Sequence, residues 1–218
     1  MKRVVIFGLG DMARMAHFYF SRDPNCQVVA FTVTRQFIKE PHFLDVPVVA
    51  FEDVVKLYPP SEFEMYVAVG YSNLNQSRAS FYFQAKELGY KLMTYVSDHA
   101  TVLTSEIGDN TFIFEDNTIQ PYVKIGNNVI LWSGNHIGHD STIKDHCFIT
   151  SHVVVAGWTE IGEYTFIGTN ATIVDKIKVA ERCIIGAGAL ITRDTKPGEL
   201  YKPQRTQPAD IPASRVKI

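Results

Sequence analysis

An aliphatic residue returns at every sixth position between residues 107 and 191, without a single slip. These positions are Ile107, Ile113, Ile119, Ile125, Leu131, Ile137, Ile143, Ile149, Val155, Ile161, Ile167, Ile173, Val179, Ile185 and Ile191. A period of six fits neither an α-helix nor a simply alternating strand. It is typical of a parallel β-helix in which three hexads form one triangular coil. The pattern therefore predicts an all-β second half whose aliphatic side chains point to the axis.

Residues eighteen positions apart should stack one coil above another, at about the strand spacing of ~4.8 Å. Asn117 and Asn135 fall one coil apart at an inward position, and we interpret them as a stacked amide ladder. Cys147 and Cys183 fall in one column but two coils apart, roughly 9–10 Å, which exceeds the reach of a disulfide. Both cysteines are therefore expected to fill the core.

Short apolar runs alternate with helical stretches in the first half of the chain. Predicted strands cover about 4–7, 27–33, 65–70 and 91–96, and predicted helices cover about 11–21, 51–58 and 72–88, the last with Ser72 as its N-cap. Strands that alternate with helices predict a parallel α/β sheet. We therefore divide the chain into a Rossmann-like domain (1–100), a β-helix domain (101–195) and a C-terminal tail (196–218) that is too rich in proline to continue the coil.

The turn after the first strand reads GLGDMA over residues 8–13 and leads directly into a helix. Glycines at positions 8 and 10 suit a turn that brings a phosphate close to a helix N-terminus. We therefore predict that Gly8, Gly10 and Asp11 contact the ligand of this domain.

The residues at the end of the second strand help to identify the ligand of this domain. A dinucleotide-binding fold places an acidic residue there to hold the ribose, but this chain has Thr34 and Arg35. NAD is therefore disfavoured. A nucleotide-linked sugar or another phosphate is the better prediction, with Arg35 or Arg14 as the counter-charge.

A second polar turn follows the third strand and contains Gly70, Tyr71, Ser72 and Asn73. These residues stand where a ligand lies at the switch point of an open α/β sheet. They are equally compatible with a capped turn that only starts the next helix. Both interpretations remain open from the sequence.

Four histidines fall within seventeen residues of the predicted β-helix, namely His136, His139, His146 and His152. His139 is the candidate base, because Gly157 follows one coil later in its column and Ala156 precedes that glycine. The missing side chain would open a slot for a thioester, with a backbone N–H for its carbonyl. An imidazole can then accept the proton of an attacking amine or hydroxyl, and Asp140 can orient it.

Other roles for these histidines are also open. A single histidine is often a surface or core residue, and His136, His146 and His152 are interpreted as mainly structural. Alternatively, the histidines could bind a zinc ion shared between subunits, as in a carbonic-anhydrase-like protein. Within one chain His146 and His152 should point away from each other, so we predict no metal site.

Composition and charge narrow the class of protein further. The chain is 46% hydrophobic and 20% charged, with a formal net charge of −2, so a nucleic-acid-binding face is not expected. Its apolar runs fall short of the roughly 20 residues of a membrane span. Three scattered cysteines suggest reduced thiols. We expect a cytoplasmic protein that does not insert into a membrane.

Taken together, these motifs resemble those of the sialic-acid O-acetyltransferase-like (NeuD/PglD-like) family of sugar acyltransferases. The family's histidine-acid motif matches residues 137–143, IGHDSTI, and its thioester-contacting glycine matches Gly157. The resemblance implies a Rossmann-like domain that binds the acceptor, followed by a left-handed β-helix that carries the chemistry. It also implies a homotrimer, with acetyl-CoA as co-substrate in a cleft between neighbouring β-helices. Its pantetheine-lining positions correspond to Thr169, Ala187 and Gly188.

The function that the resemblance implies is acetyl transfer to the amino group of a nucleotide-linked sugar, for surface polysaccharide or glycan synthesis. Transfer to the hydroxyl of a sialic-acid-like or other sugar is the alternative reaction. A trimeric binding scaffold without activity is the non-enzymatic alternative. The family's usual residues after the first and second strands are replaced here by Asp11 and by Thr34-Arg35, so the nucleotide is left open.

Overall fold

In the computed structural model, residues 1–203, 207–208, 210–211 and 213–215 are described. The N-terminal half is an α/β unit. Its elements are β1 (Lys2–Phe7), α1 (Asp11–Phe20), β2 (Cys26–Val33), β3 (His42–Phe43), β4 (Val46–Ala50), α2 (Val54–Leu57), β5 (Glu64–Val67) and α3 (Gln76–Glu87). Short 3-10 helices cover Arg35–Phe37, Phe51–Asp53 and, near the C-terminus, Ala213–Arg215.

The sheet of this half has the strand order β3-β4-β2-β1-β5. All neighbours are parallel except β3 and β4, which form an antiparallel hairpin. Val4 and Ile6 of β1 pack into one apolar core and Val5 and Phe7 into another. A continuous apolar run is the sequence pattern of a parallel strand that is covered on both faces. The predicted Rossmann-like parallel sheet is thus confirmed.

The helix predicted to start after Ser72 begins at Gln76 instead. Asn73, Leu74 and Asn75 all have left-handed backbone conformations, with φ of 50°, 48° and 65°. Ser72 is therefore followed by a left-handed turn and does not cap the helix. The prediction of the cap was wrong because consecutive left-handed residues are uncommon outside glycine.

The C-terminal half is a β-helix of three parallel sheets, which we call its faces. Strands of the first face are Tyr95–Val96, Phe112–Ile113, Ile130–Leu131, Phe148–Ile149, Phe166–Ile167, Ile184–Ile185 and Leu200–Tyr201. Strands of the second face are Thr101–Val102, Thr118–Ile119, His136–Ile137, Val154–Val155, Thr172–Ile173 and Leu190–Ile191. Strands of the third face are Lys124–Ile125, Thr142–Ile143, Glu160–Ile161 and Lys178–Val179.

The register of the β-helix is the one that the hexads predict. His136 pairs with Val154 and Ile137 with Val155, and strand partners are eighteen residues apart throughout residues 112–191. The inward positions are buried along the whole coil. Asn135 Nδ2 donates to Asn117 Oδ1 at 3.0 Å, which confirms the amide ladder. The left-handed β-helix is confirmed, and its inward side chains form its own core.

The turns between faces are referred to here as corners. The first corner joins the first face to the second, the second corner joins the second face to the third, and the third corner closes the coil. Residues 150–153, 156–159 and 162–165 are one example of each, in that order. Each corner recurs every eighteen residues, so a corner is a column of stacked turns running along the prism.

The two halves are packed together through the first face. Its outward residues Phe112, Ile130 and Phe148 are buried in one apolar cluster with α1 and the sheet of the N-terminal half. Phe166 packs at the edge of the same cluster. An outward face of a soluble β-helix needs no such column of bulky apolar residues. Its presence marks the surface that the first domain covers.

Arg78 of α3 ties the halves together and is fully buried. Its guanidinium donates to the Gly70 carbonyl at 2.8 Å, to Asn75 Oδ1 at 3.0 Å and to the His146 carbonyl at 2.9 Å. It also donates to the carbonyls of Asn128 and Cys147 in the third corner. Burial lowers the Arg78 pKa to about 10, so the side chain remains charged at neutral pH. One residue therefore holds the turn after β5 against the β-helix.

The C-terminal tail contributes one more strand than its prolines suggest. Leu200–Tyr201 pairs in parallel with Ile184–Ile185 on the first face. The remainder of the predicted tail falls partly outside the described residues. Across all the residues that the structure describes, no helix is long and apolar enough to cross a membrane.

Candidate active site

His139 stands in the second corner of the β-helix, directly after the strand His136–Ile137. Its Nδ1 lies 2.9 Å from Asp140 Oδ2, and its side chain is 52% exposed. A carboxylate only accepts hydrogen bonds, so Nδ1 carries the hydrogen in this pair. The neutral imidazole then has its lone pair on Nε2. The arrangement is that of a base whose acceptor nitrogen faces away from its orienting carboxylate.

Gly157 lies against that nitrogen, one coil further along the same corner. A Cβ at position 157 would come within 2.9 Å of His139 Nε2 and 3.0 Å of Cε1. Only glycine leaves room for the ring in this position. Among the described residues, no acceptor is hydrogen-bonded to the Gly157 N–H. The structure thus brings His139 and Gly157 together in one corner, and their catalytic roles remain predictions.

The surroundings of His139 fix its backbone and leave its ring accessible. The Gln120 side chain accepts a hydrogen bond from the His139 N–H at 2.9 Å. The Trp158 ring meets the imidazole edge to face, with 6.3 Å between centroids. Ala156 serves the coil itself, since its carbonyl accepts from Ser141 Oγ at 3.0 Å.

A cavity of about 810 Å³ lies between the N-terminal domain and the first corner. It opens at the carboxyl ends of β1 and β5, where the order of the strands reverses. Open α/β sheets bind ligands at this switch point. The predicted residues Gly8, Gly10, Asp11, Gly70 and Tyr71 all line it.

Gly8 allows the two turns of this cavity to approach each other. Its φ is +122°, and a Cβ there would come within 2.7 Å of the Ala68 carbonyl oxygen. Gly10 has open space around the position of a Cβ. The first turn of the predicted ligand site is therefore held close to β5, while its tip is free to meet a ligand.

Arg35 and Asn73 do not line this cavity. The Arg35 guanidinium pairs with Asp53 Oδ2 at 2.7 Å, and its backbone N–H donates to the Glu52 carboxylate. Asn73 belongs to the left-handed turn that enters α3. Their predicted contacts with a ligand remain predictions, and the structure brings neither side chain to the switch point.

The β-helix lines the other side of the cavity with Trp132, Phe148, Thr150 and Ser151. Sequence reasoning missed these residues. The sequence does contain a signal for them. Trp132 and Thr150 come directly after the strands Ile130–Leu131 and Phe148–Ile149, whose outward residues Ile130 and Phe148 are apolar. A turn that follows a covered face must border whatever covers it.

Thr169, Ala187 and Gly188 continue the first corner beyond Ser151 and are exposed. Thr169 Oγ1 donates to Thr150 Oγ1 at 3.3 Å, so the predicted pantetheine residues adjoin the cavity. His139, Asp140, Ala156 and Gly157 are at the second corner instead. Within one chain, the predicted site residues therefore divide between two corners of the prism.

The other histidines occupy separate positions. His146 is buried in the third corner, where its Nδ1 is 2.9 Å from Asn128 Nδ2, and burial lowers its pKa to about 4. His152 packs over Gly134 in the first corner. Among the residues that the structure describes, no cluster of three His, Cys, Asp or Glu side chains suits a metal ion.

Residues 104–138, 122–157 and 159–193 match the sequence family described as bacterial transferase hexapeptide (six repeats). The matched residues lie within the β-helix, so this similarity covers the β-helix and not the first half of the chain. No curated protein matches the chain significantly. Several solved structures, however, have the fold of both halves.

Three of these structures span nearly the whole chain. The acetyltransferase domain of PglB from Neisseria gonorrhoeae, solved with acetyl coenzyme A, is 23% identical, with a TM-score of 0.83 over 95% of this chain and 99% of that one. PerB from Caulobacter crescentus, solved with CoA and GDP-perosamine, is 24% identical, with a TM-score of 0.80 over 93% and 95%. WeeI from Acinetobacter baumannii is 16% identical, with a TM-score of 0.66 over 87% and 96%. In all three, as in this chain, a hexapeptide β-helix follows a Rossmann-like half, which confirms the predicted fold.

Proposed function

We propose that this hexapeptide-repeat protein transfers the acetyl group of acetyl-CoA to the amino group of a nucleotide-linked sugar. The observation that carries the proposal is the position of His139, with Nδ1 on Asp140 and Nε2 against Gly157. This position supports a base and a backbone donor that act at one point on the surface of the coil. A product of this kind is a building block for surface polysaccharide or glycan synthesis.

The chemistry needs no covalent enzyme intermediate. The uncharged amine attacks the thioester carbonyl carbon while His139 Nε2 accepts its proton. The Gly157 N–H donates to the carbonyl oxygen as negative charge develops there. The C–S bond then breaks, and the proton on His139 passes to the departing CoA thiolate. Asp140 stabilises the imidazolium that exists between these two proton transfers.

Acetyl-CoA as the donor is supported by the site and by the relatives. PglB was solved with acetyl coenzyme A and PerB with CoA. In this chain, the exposed and small Thr169, Ala187 and Gly188 provide a shallow track along the first corner for a pantetheine arm.

The division of the site between two corners supports a homotrimer. In a three-fold assembly of triangular prisms, the second corner of one copy can meet the first corner of the next. Tyr122 and Trp158 flank His139 in the second corner and are 74% and 59% exposed. Large exposed aromatic side chains around a base favour a surface that another subunit covers. We propose that each active site combines His139 of one copy with the first corner of its neighbour.

The acceptor is proposed to occupy the cavity at the switch point, and PerB, a protein of the same fold, was solved with the nucleotide-linked sugar GDP-perosamine. Tyr71 and Trp132 offer aromatic surfaces for the apolar face of a sugar ring, and Ser72, Thr150 and Ser151 offer hydroxyls. The cavity adjoins the proposed CoA track through the bond between Thr169 and Thr150. Donor and acceptor would thus meet on one side of the first corner.

The experiment is an acetyl-transfer assay on purified protein with acetyl-CoA and a panel of nucleotide-linked amino sugars, each beside its hydroxyl analogue. We expect transfer to an amine, and we expect His139→Asn to lower turnover by at least about 10²-fold. Faster transfer to the hydroxyl analogues would instead establish the O-acetyltransferase alternative. Absence of both transfer and CoA-induced thermal stabilisation would support the scaffold alternative.

A further inference from the structure

A second cavity of about 740 Å³ adjoins the proposed sugar cavity. Asp11 of α1 and Trp132 of the β-helix line both, so the two cavities form one continuous groove. The second cavity runs along the outer side of α1 and is closed by Leu44, at the tip of the β3–β4 hairpin.

The formal charges of the residues that line the two cavities have opposite net signs. Among the described residues that line the sugar cavity, Asp11 is the only one with a formal charge at neutral pH. The second cavity is lined by Arg14 and Arg22. His17 also lines it, but burial lowers the His17 pKa, so the arginines supply the positive charge. An anionic group would therefore be more stable in the second cavity than in the first.

Among the described residues, neither arginine has a carboxylate close enough for a strong ion pair. Arg14 Nη1 is 4.0 Å from Asp11 Oδ1, and its side chain is 64% exposed. The Arg22 guanidinium lies over the Phe18 ring, 4.1 Å from its centroid. Spacings of three and four residues place Asp11, Arg14 and Phe18 along one side of α1, and Arg22 follows just after the end of that helix. Both guanidinium groups can thus turn to a ligand without breaking a buried contact.

Aromatic surfaces accompany these cations. The Trp132 indole is stacked on Phe114, with 4.3 Å between centroids and 7° between planes, which fixes its orientation. Phe18 is exposed within the same cavity. A planar base can stack on aromatic rings, and arginine forks match phosphate oxygens. Phosphate and planar aromatic chemistry occur together in a nucleotide.

We propose that the second cavity binds the nucleoside diphosphate half of the acceptor, with Arg14 and Arg22 on the phosphates and the base beside Trp132 and Phe18. This inference rests on the proposed function for the identity of the acceptor. The sugar then extends past Asp11 into the first cavity, toward the acyl donor. Arg14 and Arg22 thus provide the counter-charge for the phosphates, because Arg35 is already paired with Asp53.

The test is equilibrium binding of UDP, GDP, dTDP and CMP to the full-length protein by calorimetry. For the nucleotide that binds best, the double variant Arg14→Gln/Arg22→Gln should weaken affinity at least about 10-fold. Arg3→Gln is the matched control, because Arg3 is also an exposed arginine but pairs with Glu62, away from the groove. It should leave the affinity unchanged. An equal loss in Arg35→Gln, or none in the double variant, would overturn the assignment.

A second measurement does not depend on the arginine variants. The chain has two tryptophans, Trp132 and Trp158, so Trp158→Phe leaves Trp132 as the only indole. Nucleotide binding should quench the fluorescence of this variant, and an unchanged spectrum at saturation would contradict stacking beside Trp132. Transfer to the amine of a nucleotide-linked sugar, with no loss in the arginine double variant and no quenching of Trp132, would refute this subsite and leave the proposed reaction intact. Nucleotide binding that depends on the two arginines, without transfer to any acceptor, would refute the proposed reaction and leave this subsite intact.

Discussion

The imidazole of His139 and the backbone of Gly157 lie one coil apart in the same corner, so close that a methyl group at 157 would reach within 2.9 Å of Nε2. The glycine therefore determines where the acceptor nitrogen of the base can be. The Gly157 N–H has no acceptor among the described residues. The proposed base and the proposed oxyanion donor are thus set by the spacing of the coil rather than by a flexible loop.

Gly157→Ala should lower kcat by about 10-fold or more while leaving the fold intact, because the three atoms nearest to the new methyl all belong to the movable His139 ring. Gly138→Ala is the contrasting variant. Its methyl would meet the Gly157 backbone nitrogen at 2.5 Å, so it should lower the melting temperature as well. Steady-state kinetics and thermal unfolding of both variants check this. Full activity of Gly157→Ala would exclude the proposed position of the base.

Two inactive variants should complement each other if the site is shared between copies. His139→Ala removes the base from the second corner, and Thr169→Trp blocks the proposed CoA track on the first. Co-expression of equal amounts should restore about one quarter of the sites in a mixed three-fold assembly. Each variant alone is the control. Activity no higher than that of the single variants, in verified mixed trimers, would place the whole site within one chain.

Arg78→Met should destabilise the protein by about 2–4 kcal/mol, because it leaves several buried carbonyls without their donor. Chemical unfolding measures the effect. Arg3→Met, at an exposed ion pair, should change stability by less than about 1 kcal/mol. A similarly small effect at Arg78 would show that the apolar first face alone holds the two halves together.

Stability should decline on acidification through His146. Burial lowers its folded pKa to about 4 from an ordinary value of 6.5, so between these values the unfolded chain binds more protons than the folded one. The stabilising effect is complete above about 6.5 and is lost as the pH falls toward 4. From pH 7 to pH 5 we expect a loss of about 2 kcal/mol, measured by urea unfolding.

His146→Gln provides the control for this pH dependence. Carboxylates such as Glu115 and Glu160, whose pKa values are lowered in the fold, also favour unfolding in acid. The variant keeps their contribution and removes that of His146. A slope between pH 7 and 5 that is the same in both proteins would show that His146 does not govern it.

The sequence by itself determined the β-helix and the arrangement along each corner. Strand partners between residues 112 and 191 are eighteen residues apart, so the repeat in the sequence encodes how one coil stacks on the next. That is why the column of His139 and Gly157, and the ladder of Asn117 and Asn135, were predictable by counting. The parallel sheet of the first half was predictable from its apolar runs for the same reason, since those patterns are local.

The contacts between the halves were decided only by the tertiary structure. They join residues with no fixed spacing, such as Arg78 with His146, and they set Asp11 and Trp132 in the lining of one groove. The left-handed turn before α3 and the pairing of Arg35 with Asp53 depend in the same way on neighbours that the local sequence does not specify. Periodicity fixes the inside of a repeat, whereas the docking of one domain on another is fixed by non-repeating side chains that meet only once the chain has folded.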